Sequence, residues 1–368
     1  MSFKYMPVLR SRENEKRAFK NFFDNKIFSS NTIIPLIEII QYSPNRKNTT
    51  DSKLPEEIFE ESYVNEFKNY DFPIIVDIPM YIDLNSNIKQ KYKDFLSEML
   101  SNSNKKTPSK RLIYFNKLSK LKNIIPVVSY NPNAPYPLKT ISTQEKYLRT
   151  NFNKIAFRVF VNINTITHIL NEVEQSITSE DILILDLQDD DYKETKFNTL
   201  FQKIEDIKTS KKCKTIILNT PITEDIIKKN KNVQNDCPIN AIDNSIVFSY
   251  KSFGFDAFGD YAGIKKYLGP DNNGNNYNPP VTYNIFYAYH QNKYIKFKSQ
   301  TINASKPVVA PSITKSKCWN MYGHTHHKNC PGCIEINNKS IDTSKPGNWG
   351  TWQAINIQHY IYTMNDFL

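Results

Sequence analysis

The chain carries eight short apolar runs of strand length, separated by longer polar or amphipathic stretches, and this pattern limits its fold more than any other feature. The runs are 5–9 (YMPVL), 32–40 (TIIPLIEII), 73–79 (PIIVDIP), 123–130 (NIIPVVSY), 154–161 (KIAFRVFV), 181–187 (DILILDL), 214–219 (KTIILN) and 245–250 (SIVFSY). Most are nearly continuous in apolar residues, as strands buried on both faces of a parallel sheet are. Spacers at 13–23, 87–100, 165–173, 198–207 and 224–229 have helix-like patterns. Eight β/α units in about 250 residues predict a (β/α)₈, TIM-like barrel. Pro7, Pro35, Pro73 and Pro126 fall early in four runs. A proline cannot donate to a strand ladder, so these four leave an irregular barrel or an open sheet as the competing architecture.

Past about residue 253 the texture changes. All nine glycines lie between Gly254 and Gly350. The first 253 residues therefore hold neither a P-loop nor a G-x-G-x-x-G turn, which argues against a nucleotide-dependent kinase, ATPase or dehydrogenase. The stretch 269–280 (GPDNNGNNYNPP) reads as a loop and 283–297 as an antiparallel hairpin. An aromatic, helical end follows at 352–367. The expected division is a barrel over 1–268 and a C-terminal extension over 269–368 that holds the hairpin, a Cys/His module and the terminal helix.

Charge speaks to partners. The formal net charge is +11, from 48 Lys and Arg against 37 Asp and Glu. That suits nucleic acid or another phosphate-bearing partner. However, 41 of the 48 are lysines, and a lysine surplus also marks an ordinary solvated surface, since bidentate phosphate capture and base readout favour arginine. No run reaches the length of a membrane span, and the first residues lack the apolar core of a secretory signal, so the expected location is cytoplasmic.

If the runs are barrel strands, their C-terminal ends bring polar side chains to one mouth, where barrel enzymes hold their active sites. Arg10 follows the first run, Glu38 and Asp77 lie in the second and third, Arg158 interrupts the fifth and Asp186 ends the sixth. Glu38, Asp77 and Asp186 offer hard oxygen ligands for a divalent cation such as Mg²⁺. Arg10 and Arg158 can grip a phosphoryl group bidentately. The competing reading is an internal salt-bridge network, because a charge in a buried strand is costly unless it is paired or used. No histidine stands at a strand end to serve as a base.

The segment CWNMYGHTHHKNCPGC holds Cys318, His324, His326, His327, Cys330 and Cys333 within 16 residues. Cys330 and Cys333 form a C-x-x-C knuckle, the usual half of a structural zinc site. Cys318 and either His324 or His327 complete a Cys₃His set. A redox C-x-x-C pair would expect a strand-to-helix context that is missing here. His168, His290 and His359 read as structural histidines.

The segments KYMPVLRSRENEKRAF, IIPLIEI, IIVDI and FGDYAGI (258–264) resemble the beta protein family of phages and bacterial mobile regions. The resemblance implies a phage-defence or mobile-element setting and no particular reaction. It adds Asp260 to Arg10, Glu38 and Asp77 as site residues, since all four fall in the matching segments. Two functions follow as expectations. One is a protein acting on a phosphate-bearing ligand or nucleic acid at the barrel mouth. The other is a non-catalytic recognition or scaffold subunit that binds a phage protein or nucleic acid.

Overall fold

The computed structural model describes residues 3–24, 32–42, 54–82, 88–100, 108–132, 139–161, 165–188, 190–193, 195–220, 245–264, 284–289, 293–298, 309–316, 319–344, 347 and 349–367. Eight parallel strands close into a barrel in sequence order. They are β1 (Tyr5–Arg10), β2 (Leu36–Glu38), β3 (Ile74–Asp77), β4 (Ile124–Val128), β5 (Ala156–Phe160), β6 (Ile182–Asp186), β7 (Lys214–Leu218) and β8 (Ala257–Asp260). A separate antiparallel hairpin pairs β9 (Asn284–Tyr289) with β10 (Lys293–Lys298). The longer barrel helices are α1 (Glu13–Asp24), α2 (Gln90–Leu100), α3 (Lys110–Leu118), α4 (Thr140–Arg149), α5 (Ile166–Ser176) and α6 (Asn198–Lys211). The tail adds α7 (Val309–Thr314), α8 (His324–Asn329), α9 (Pro331–Ile341) and α10 (Trp349–Phe367).

The prolines do not open the sheet. Pro35 and Pro73 stand just before their strands, while Pro7 and Pro126 sit inside β1 and β4 opposite Asp260 and Val76. Among the described residues, no helix is long and apolar enough to cross a membrane.

The run 245–250 was expected to be the eighth strand. It folds instead as a short helix, Ile246–Ser249, followed by a 3₁₀ turn. The eighth strand is the less apolar AFGD. A six-residue apolar run has no periodicity that separates buried helix from buried strand. What decides the matter is the last gap in the barrel, which only a strand paired to both β7 and β1 can close. Gly259 fits that gap because a Cβ there would lie 2.8 Å from the Met6 carbonyl oxygen. The helix-like stretch at 224–229 and the expected boundary near 268 lie outside the described residues.

Alternation along each strand sorts side chains into two cores. Outward residues pack under the helices in the large cluster that includes Leu9, Ile37, Val76, Phe157, Leu185 and Phe258. Inward residues fill the bore with a smaller one: Met6, Val8, Ile34, Leu36, Ile75, Ile125, Val127, Ala156, Ile182, Ile184, Ile216, Leu218 and Ala257. The C-terminal helix belongs to the barrel as much as to the tail. Ile357, Tyr360, Ile361 and Met364 of α10 join the large outer core, and α10 packs along α1.

Candidate functional site: a polar layer capping the bore

Step two residues past the last apolar bore residue of each strand and the side chain is polar. From β1 to β7 these residues are Arg10, Glu38, Asp77, Ser129, Arg158, Asp186 and Thr220. After β8 comes Tyr261, beyond the glycine at 259. Strand alternation keeps Arg10, Glu38, Asp77, Arg158 and Asp186 on the inward side, Tyr261 joins them through its hydroxyl, and Ser129 and Thr220 stand just past the ends of β4 and β7. The register places Arg10 beside Glu38 and Glu38 beside Asp77. The N-terminal end of the bore is apolar and its C-terminal end is a charged layer.

Arg158 is the hub, with no exposed surface. Its Nη1 donates to Glu38 Oε1 at 2.9 Å and to Asp77 Oδ2 at 3.0 Å. Its Nε and Nη2 donate to Asp186 Oδ2 at 3.0 and 2.7 Å, and Nη2 also reaches the Tyr261 hydroxyl at 3.1 Å. Arg10 Nε donates to Glu38 Oε2 at 3.1 Å, and its guanidinium lies over the Tyr261 ring. Tyr81 and Tyr261 both donate to Glu38 Oε1. Asp186 Oδ1 accepts from the Gln188 amide at 2.8 Å. All three carboxylates expected to hold a divalent cation thus bond one guanidinium instead, and Arg158 fills the place between them.

Arg111 and Tyr81 complete the layer, and the sequence patterns do not mark either. Arg111 lies on α3 in KRLIYF, an unremarkable amphipathic stretch. It is buried and donates to Asp77 Oδ1, the Ile78 and Val127 carbonyls and Gln144. Tyr81 follows β3 in a segment without periodicity. Three guanidiniums then face Glu38, Asp77 and Asp186, and the formal charges cancel.

The two central acids differ. Burial holds the Asp77 carboxyl above its ordinary range, and Arg158 and Arg111 only partly oppose this. Burial also pushes Glu38 up, but Arg158 and Arg10, with the Tyr81 hydroxyl, bring it below the usual carboxylate range. Environments that push two carboxyls apart separate a proton donor from a group that stays ionised. A folded value below the unfolded one means stabilisation that is present above the unfolded pKa and lost as pH falls through the folded one. The stability difference between wild type and Glu38→Gln should therefore not shrink from neutral pH down to about pH 4.5 and should shrink only below that. Urea midpoints across pH check this, and a difference already fading between about pH 7 and 6 would contradict it.

Two hydroxyls just past the strand ends stand apart. Among the described residues, Ser129 Oγ and Thr220 Oγ1 are buried and have no hydrogen-bond partner. Asp260 is elsewhere. It has the outward parity of Phe258 and lies under α10, where Tyr5 and Tyr360 donate to its two oxygens and the Ala262 amide bonds Oδ1 at 2.9 Å. The five residues expected at the mouth converge, and Asp260, added as a site residue by the family resemblance, fastens the outer wall instead.

The tail holds a second cluster. Ring nitrogens of His326 and His359 and the sulfurs of Cys330 and Cys333 all lie within 4.8 Å of one another, and all four residues are buried. His359 Nδ1 is 3.5 Å from Cys330 Sγ and 3.4 Å from Cys333 Sγ. This His₂Cys₂ set could hold a metal ion. The histidines are not the expected ones. His324 is exposed. His327 stacks on Trp319 with ring centres 3.9 Å apart, and its Nε2 meets the Trp319 carbonyl at 3.0 Å. Cys318 lies outside the described residues. Within H-T-H-H the helix turn decides which ring faces the thiols, and His359 arrives from another helix 26 residues past Cys333, beyond the reach of spacing rules.

Fold and sites together define a (β/α)₈ barrel with a charge-capped bore and a Cys/His cluster in its C-terminal tail. The chain belongs to the Beta protein family, whose model matches residues 5–366. None of the curated proteins compared matches it. Among solved structures it is similar to the crystal structure of 7,8-dihydropteroate synthase from Vibrio fischeri ES114. The identity is 9%, the match covers 70% of this chain and 87% of that one, and the TM-score is 0.35.

Proposed function

We propose that the protein is a phage-defence or mobile-element-associated protein whose barrel mouth takes a phosphate-bearing ligand. The asymmetry of the bore carries this reading. Apolar residues of similar volume would fill the top layer at equal or lower free energy than buried ion pairs, so stability alone does not account for charges gathered at one end. That end is the one where barrel proteins place their sites. Arg10 and Arg158 are the anion-directed groups, and Ser129 and Thr220 are the hydroxyls left to bond a ligand oxygen. Asp77 is the carboxyl readiest to take a proton. Its protonation would leave the layer with one positive charge in excess, which an arriving phosphate neutralises. In this reading the Cys/His cluster is a structural zinc centre, since four protein donors leave no open position for chemistry.

A second reading rests on the completeness of the ion pairing. Each of the three carboxylates is already bonded to a guanidinium. The layer is then a keystone, and the protein is a recognition subunit that offers its lysine-rich surface to nucleic acid or a phage protein.

Ser129→Ala with Thr220→Val separates the two, because it removes no partnered group. Adenosine monophosphate and inorganic phosphate are the probes, read by thermal shift, with plaque counts as the cellular readout. The mouth reading expects a ligand-dependent rise in Tm that the double variant loses, along with loss of protection at unchanged fold stability. No shift with either probe and full protection by the double variant would leave the keystone reading standing.

A further inference from the structure

We infer that zinc bound by His326, Cys330, Cys333 and His359 is the clasp that pins the knuckle helices α8 and α9 to the C-terminal helix α10, the helix that packs on the barrel. This rests on the structural-zinc reading above and extends it to a ligand set and a mechanical role.

The donor set fits zinc. Zn–S bonds of about 2.3 Å and Zn–N bonds of about 2.0 Å in a tetrahedron imply sulfur–nitrogen edges of roughly 3.5 Å. The two observed edges from His359 Nδ1 are 3.5 and 3.4 Å. Two thiolates and two neutral imidazoles around Zn²⁺ sum to zero charge once both thiol protons have left to solvent. A neutral assembly is what a site this buried tolerates. A tetrahedral S₂N₂ set selects zinc over magnesium or calcium, which prefer oxygen donors.

The ligands join three tail helices that also pack on one another. His326 comes from α8. Cys330 caps α9, and its sulfur accepts from the Cys333 amide. His359 comes from the middle of α10. Among the described residues, the tail's own apolar cluster has five buried residues, namely Ala310, Ile313, Ile336, Trp352 and Ile355. A core of that size gains from a staple. Gly332 lets the knuckle approach, since a Cβ there would lie 2.7 Å from the His359 backbone nitrogen.

Successive helical residues point about 100° apart. His359 therefore faces the knuckle while Tyr360 faces the barrel, where its hydroxyl donates to Asp260 on β8. Asp260 also takes the Tyr5 hydroxyl of β1. The next residue, Tyr261, bonds Arg158 and Glu38 inside the bore. The metal thus sits one helix away from the seam where β8 closes on β1.

The test uses the full chain as purified. Elemental analysis should give one zinc per chain. Cobalt substitution should show the visible bands of a tetrahedral thiolate–imidazole site. Cys333→Ser and His359→Gln should lose the metal, while His327→Ala keeps it. Chelation should speed amide exchange by about tenfold or more in α8, α9, α10 and the β8–β1 seam, as local opening becomes easier. If the ligand variants do not fold, chelation of wild type gives the same readout. Absence of stoichiometric metal overturns the zinc reading and the clasp together. Zinc that is bound and removable without faster exchange in α10 overturns the clasp alone. Neither result bears on Ser129 and Thr220, so the mouth is judged separately.

Discussion

Arg158→Met should destabilise the protein by about 3–5 kcal/mol, the cost of removing one partner from a buried charge network. The reason is arithmetic at the top of the bore. Arg158 is the common partner of Glu38, Asp77 and Asp186, and all four have no exposed surface. Methionine fills much of the volume and supplies no charge. Three carboxylates then face Arg10 and Arg111 alone, and at least one must take up a proton or draw in water. Asp77, already held high by burial, is the first to protonate, so the variant should regain part of its stability as pH falls. Urea denaturation at neutral and mildly acidic pH measures both effects. A loss below about 1 kcal/mol would mean that the layer does not hold the barrel together as a unit. Under the proposed phage-defence role, scoring phage protection alongside separates structure from function. Protection that falls only as far as folded protein falls marks a keystone, whereas protection lost from a folded variant marks a working site.

Gly263→Val should cost roughly 2–5 kcal/mol, because two separate penalties coincide. Gly263 has φ +72°, a left-handed conformation that costs a residue with a Cβ about 1–2 kcal/mol, more for a β-branched one. A Cβ there would also stand 2.7 Å from the Tyr360 ring, and overpacking of this kind costs about 1–3 kcal/mol. Tyr360 cannot retreat cheaply, since its hydroxyl is tied to Asp260 and its ring lies in the outer core. The expected outcome is a lower denaturation midpoint and faster exchange in α10, with the proposed zinc site still competent to fill. Wild-type stability would show that α10 can shift on β8 and that the Tyr360–Asp260 contact is incidental.

These two positions show how far the sequence reaches. The barrel was legible because parallel strands buried on both faces must be apolar almost throughout, and seven of the eight apolar runs are indeed its strands while the eighth, 245–250, is a helix. Charges inside those runs also stood out, since IPLIEII, PIIVDIP and AFRVFV break a pattern that water would otherwise punish. Counting by twos from the bore would have found Ser129 and Thr220 as well, although neither is charged enough to catch the eye. Arg111 and Tyr81 gave no signal, because a long side chain reaches the layer from a helix or loop whose own pattern is ordinary.

On its own, the amino-acid sequence determined the repeat, the charged positions in five strands and the C-x-x-C knuckle, all of them consequences of local periodicity or short spacing. Only the tertiary structure decided that AFGD rather than SIVFSY closes the barrel, that Arg158 occupies the centre of its carboxylates, that Asp260 faces α10, and that His326 and His359 meet the thiols. Each of these depends on which side chains meet across distant segments, and that is settled by closing the sheet and packing the last helix.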